Sequence, residues 1–113
     1  MIEFTSVPAL GSYLHLKGKV QHRDVEHARI AVYIRVHGGW WTKPYWDSPT
    51  ISLAADGSFS VDITTGGRDE EATDIAVFLI AEDYHPPALR GEVELPAELI
   101  STALARADVT RTP

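Results

Sequence analysis

Three tryptophans and a tyrosine fall within the nine residues Gly38-Gly39-Trp40-Trp41-Thr42-Lys43-Pro44-Tyr45-Trp46. Aromatic rings carry a large apolar area on few rotatable bonds, so they stack on sugar rings or partner surfaces and equally well fill a small core. In an extended segment Trp40 and Trp41 leave the backbone on opposite faces, so at most one of them joins the core. Tyr45 and Trp46 repeat the arrangement beyond Pro44, with Lys43 and Asp47 beside them as hydrogen-bonding groups. The candidate ligand-binding residues are therefore Trp40, Trp41, Lys43, Tyr45 and Trp46. The competing reading is that Lys43-Pro44 turns the chain and the rings cap the open end of a sandwich. The sequence leaves both open.

Other chemistry finds little support. Cysteine is absent, which removes disulfides, thiolate nucleophiles and thiolate metal sites together. None of the serines lies in a Gly-x-Ser-x-Gly elbow. His15, His22, His27, His37 and His85 include no pair at a spacing typical of zinc ligands on one element. The acids Asp69, Glu70, Glu71 and Asp74, followed by Glu82 and Asp83, lack the order of a calcium loop and read as a solvated turn, with Asp69 capping a single helical turn. The expectation is a protein that is not an enzyme and carries no metal or cofactor.

The formal net charge of −6 repels phosphate backbones on average, which argues against nucleic acid as a partner. No apolar run approaches the ~20 residues that cross a bilayer, so no membrane insertion is expected. A length of 113 residues suits one domain spanning residues 1–113.

The elements that must position the rings are short β-rich segments separated by turn residues at roughly ten-residue spacing, the pattern of an all-β protein. Ile2 to Val7 opens the chain, and Leu14, Leu16, Gly18 and Val20 alternate with polar residues. Ala28 to Val36 reads as the central strand, with Ile30, Val32, Ile34 and Val36 on one face and Tyr33, Arg35 and His37 on the other. Gly38-Gly39 ends or bulges it, while Pro44 and Pro49 confine the aromatic segment to an edge or to irregular structure. Thr50 to Leu53 and Ser58 to Ile63 flank Asp56-Gly57, a hairpin signal. Thr73 to Ala81 is nearly continuously apolar and belongs in the sheet interior. Tyr84-His85-Pro86-Pro87 is a rigid loop, and Leu89 to Leu95 alternates again. Pro96 opens a short helix to about Ala105, with Leu99, Ile100 and Leu104 on one face, and Arg106 to Arg111 closes the sheet. The fold class is an all-β antiparallel β-sandwich of about seven strands, Ig-like or transthyretin-like, with one short C-terminal helix.

The succession Gly18-Lys19-Val20, the strand Ile30 to Val36, Gly39-Trp40-Trp41-Thr42-Lys43-Pro44, Asp56-Gly57-Ser58-Phe59 and Asp62-Ile63-Thr64-Thr65-Gly66-Gly67 resembles a small β-sandwich accessory domain of bacterial secreted and surface proteins. Ala72-Thr73-Asp74-Ile75-Ala76 and Tyr84-His85-Pro86-Pro87 fit the same pattern, and the resemblance spans roughly residues 11 to 96. Such domains, of the transthyretin-like or carboxypeptidase-regulatory-like type, stand beside glycoside hydrolase and other polysaccharide modules. The resemblance implies a non-catalytic carbohydrate-associated module in an extracellular or cell-surface setting, within a longer exported protein whose signal peptide this chain does not show; a cytoplasmic setting is the alternative. Its partners would be a polysaccharide or a neighbouring domain of the same chain. The alternative function is a structural spacer or protein-protein interaction domain. Tyr33, Tyr84 and His85 are weaker additions to the site, conditional on their lying beside the aromatic segment.

Overall fold

Proline's missing N–H shapes the central sheet. In the computed structural model, which describes residues 1–21, 25–45 and 47–112, β3 (Ala28–Val36) turns through His37 and Gly38, both at positive φ, into β4 (Gly39–Lys43). The hairpin pairs Val36 with Gly39 and ends with Val32 opposite Lys43, immediately before Pro44. The rest of that edge of β3 is taken by β5 (Thr50–Ser52), which pairs with Arg29, Ile30 and Ala31. One edge of β3 is thus filled by two strands, with the loop around Pro44 between them.

On its other edge β3 pairs along its length with β7 (Asp74–Ala81), and β7 pairs with β9 (Ala105–Thr110). The three-residue β8 (Arg90–Glu92) pairs with the far side of β4, completing an antiparallel sheet in the order β8-β4-β3-β7-β9. The Gly39–Lys43 part of the aromatic segment is accordingly an interior strand of this sheet, not an edge, while Pro44 and Tyr45 lie beyond it in irregular structure. A second antiparallel sheet, β1-β2-β6, is built from β1 (Ile2–Ser6), β2 (Leu16–Val20) and β6 (Ser58–Val61). Among the described residues nine strands in two packed sheets make the sandwich, against about seven expected.

The Asp56-Gly57 turn forms, with Ala54 and Gly57 hydrogen-bonded across it, but it does not close a hairpin. Its strands go to different sheets, β5 to β3 and β6 to β2. Local turn chemistry was satisfied, while each strand found a longer partner elsewhere. Leu14, expected to alternate inward, lies before β2 and is exposed.

Between the sheets lies a core of Ile2, Leu16, Val20, Phe59 and Val61 against Ile30, Val32, Ile34, Ile75, Val77 and Leu79. The opposite face of the larger sheet is also covered. There Ala31, Tyr33, Ala76, Phe78 and Ile80 pack under Leu89 and under Leu99 of α1 (Ala97–Thr102), with Trp40, Tyr84 and Leu95 at the margin. This second layer explains why β3 and β7 are buried on both faces, and why Tyr33 is a core residue, not a polar-face one. The helix is shorter than its apolar spacing predicts: Leu99 is buried and Ile100 is exposed within it, and Leu104 is exposed because the chain leaves the helix after Thr102 and enters β9.

The Tyr33 hydroxyl donates to Pro87 O at 2.8 Å, fixing the 84–89 loop over this layer, and its ring meets Phe78 edge-on. Burial, aided by Tyr84, raises the pKa of the phenol well above its ordinary value. The unfolded chain then releases this proton first, so stability is intact below about pH 10 and declines as pH rises beyond it. Urea midpoints between about pH 8 and 11 should fall in the wild type and fall less in Tyr33→Phe. At neutral pH that variant loses about 1 kcal/mol with the hydrogen bond.

Arg111 staples the other end. Its buried guanidinium donates to the carbonyls of Ala72, Pro8 and Ala9 at 3.0, 3.1 and 3.2 Å and reaches that of Glu70 at 3.5 Å. Burial lowers its pKa from the ordinary arginine value. The bonds hold residues 70–72 against the N-terminal loop and anchor the segment that walls the groove described next.

Candidate functional site

Alternation along β4 sends its side chains to two different layers. Trp40 and Thr42 lie opposite Arg35 and Tyr33, on the face covered by the helix and the 84–89 loop. Trp41 and Lys43 lie opposite Ile34 and Val32, on the face that β3 turns toward the smaller sheet. At β4, however, the opposing wall is the turn 66–69, and the space between is a groove of about 440 Å³. Val36, His37, Trp41 and Lys43 form one side of it and Gly66 to Asp69 the other.

A smaller depression of about 220 Å³ adjoins it, sharing Trp41 and Lys43 and continuing past Pro44, Tyr45, Thr65 and Arg90. Trp41 therefore stands between two hollows, 39% exposed. Beneath its ring lies Gly91, at φ 97°, where a methyl group would come within 3.2 Å of the indole. Glycine at this β-bulge lets the indole lie close against the backbone of β8 and hold its position.

Beneath the mostly apolar lining lies a buried polar network. Lys43 Nζ donates to Asp69 Oδ2 and, at 3.0 Å, to Thr65 Oγ1, whose hydroxyl donates to Pro44 O. Gly66 N–H also donates to Asp69 Oδ2, at 3.0 Å. Both charged side chains are about nine-tenths buried. At the rim, Glu71 accepts from His37 Nε2 at 3.0 Å and lies 3.9 Å from Arg68 Nε. A half-exposed indole beside this buried network can stack on a flat apolar ring face.

The expected site residues separate accordingly. Trp41 and Tyr45, the latter 55% exposed, share the depression beside β8. Trp40 packs with the second core layer, on the far side of the sheet from Trp41. Lys43, expected as an accessible hydrogen-bonding group, is instead committed to the buried ion pair. Asp47 is exposed, and Trp46 lies outside the described residues. Tyr33 and Tyr84 belong to the second layer, where the Tyr84 hydroxyl meets Glu98 at 3.3 Å, and His85 is exposed on the same loop.

The acidic run is not a simple solvated turn either. Asp69 opens a 3-10 turn through Glu71, yet its carboxylate turns inward to Lys43 and Gly66 and does not cap. His15 and His37 do not lie on neighbouring strands: His15 meets Ser60 of the smaller sheet at 3.3 Å, while His37 sits in the β3–β4 turn. His22 lies outside the described residues. Among the described residues, no three histidine or acidic side chains gather as metal ligands would.

Sequence reasoning missed Asp69, Thr65, Gly66 and Arg68 as walls of the site. One signal was available. In a two-residue hairpin Lys43 shares its face with Val32 and Ile34, and a lysine placed on a buried face calls for an acid. Comparison with protein-family models, with curated proteins and with solved structures finds no match to this chain.

Proposed function

We propose that this β-sandwich is a non-catalytic carbohydrate-associated module that holds polysaccharide by stacking a sugar ring on Trp41, with Tyr45 as a second apolar contact. It would serve within a longer exported protein, at the cell surface or outside the cell. What supports the reading is the placement of Trp41, a half-exposed indole seated on Gly91 between two adjoining grooves while Trp40 is turned into packing. Shallow sites of this kind bury little of their ligand, so each binds weakly and gains strength from linked copies.

Titrating intrinsic tryptophan fluorescence with a panel of soluble polysaccharides tests this. A saturable change with at least one glycan is expected, because Trp41 would leave water for a sugar face. If every glycan leaves the spectrum unchanged while the protein self-associates, the groove is a protein interface and the spacer or interaction reading replaces this one.

A further inference from the structure

The charges around Trp41 are sorted differently from those of the whole chain. The protein has 10 lysines and arginines against 16 acids. Lys43 lines both adjoining hollows, Arg68 and Asp69 line the larger one and Arg90 the smaller. Asp69 is spent on Lys43 and Gly66, so the exposed cation of the larger hollow is Arg68. Arg90 lies directly across from Trp41 on β8, hence on the same face of the sheet. On the opposite wall the Arg68 side chain is 73% exposed, and its carboxylate neighbour, Glu71, stands off at 3.9 Å while accepting a shorter bond from His37.

We infer that the ligand of this groove is an anionic polysaccharide, a glycan whose ring stacks on Trp41 while its carboxylate or sulfate is met by Arg68. The inference rests on the sugar-binding reading above and narrows it to a charge class. An arginine at the rim suits this role, since its planar guanidinium presents paired donors to a carboxylate or sulfate. The overall negative charge does not forbid it: at physiological ionic strength distant charges are screened beyond about 8 Å, whereas Arg68 would act at contact. Glu71 is the built-in competitor. A bound anion would take its place beside Arg68 and leave it to His37.

Affinity electrophoresis at physiological ionic strength tests this with gels containing polygalacturonate, dextran sulfate, or neutral dextran and xyloglucan. Wild-type protein should be retarded by an anionic polymer more than by the neutral ones. Arg68→Gln should weaken that retardation by about threefold to fivefold, as for one exposed charge contact, and leave any neutral retardation unchanged. Glu71→Gln should strengthen it by about twofold or more, a gain that loss of fold cannot mimic. Retardation by polygalacturonate identifies carboxylate as the recognised group, and by dextran sulfate alone, sulfate. Equal retardation by neutral and anionic glycans, or indifference to both substitutions, overturns the anionic inference and leaves the sugar-binding reading standing. No retardation by any polymer removes both.

Discussion

Lys43→Met is expected to lower the unfolding free energy by about 3–5 kcal/mol, the cost of stranding one member of a buried ion pair. Asp69 would keep its place, because Gly66 N–H still holds it, but its charge would face a groove floor with no counter-charge. Thr65 would lose a donor at the same time. The double variant Lys43→Met/Asp69→Asn removes both charges and keeps an acceptor for Gly66, so it should recover most of the loss. Urea unfolding of the three proteins gives the comparison. If the single and double variants are equally unstable, the deficit comes from packing of the lysine stem, and the ion pair contributes little. The pair also joins β4 to the turn that carries Arg68, so the single variant should loosen the groove wall even where the protein remains folded.

The second large effect divides two adjacent residues. Trp41→Ala should reduce glycan binding by at least tenfold, about 1.4 kcal/mol, because the stacking face is removed while the floor of Lys43, Asp69 and Thr65 stays intact. Its stability cost should be about 1–2 kcal/mol, since part of the ring already faces water and only the area over Gly91 is lost. Trp40→Ala should do the reverse, costing about 3 kcal/mol of stability through loss of packing against the second core layer, with binding changed by less than about twofold where the protein is folded. Paired urea unfolding and fluorescence titrations separate the two. Binding that survives Trp41→Ala, or that falls equally in both variants, would remove Trp41 from the centre of the site.

Much of the architecture was legible because it depends on short-range pattern. Ala28–Val36 emerges with the predicted limits, since a long β-branched run closed by a two-residue turn has few alternatives. The opposite facing of Trp40 and Trp41 follows from the two-residue period of a strand and holds once β4 is formed. The Asp56-Gly57 hairpin failed for a reason no local signal carries. A turn motif specifies a bend, but which edges the flanking strands join depends on the partners left open, here Arg29 to Ala31 of β3 and Leu16 to Lys19 of β2. The covered second face of the sheet was equally hidden, because Tyr33 is amphipathic and its burial depends on a loop and helix more than fifty residues away.

For the candidate site, the sequence by itself determined that aromatic area is concentrated on one segment, that its two neighbouring indoles must diverge, and that neither cysteine chemistry nor a serine elbow is present. Only the tertiary structure decided which indole faces the groove, that Lys43 is consumed by Asp69, and that Gly66 to Asp69 forms the facing wall. The physical reason is separation along the chain. Strand alternation acts between neighbours, whereas the groove exists because a turn 26 residues beyond Lys43 delivers Asp69 to the floor beside Trp41, held from behind by Arg111.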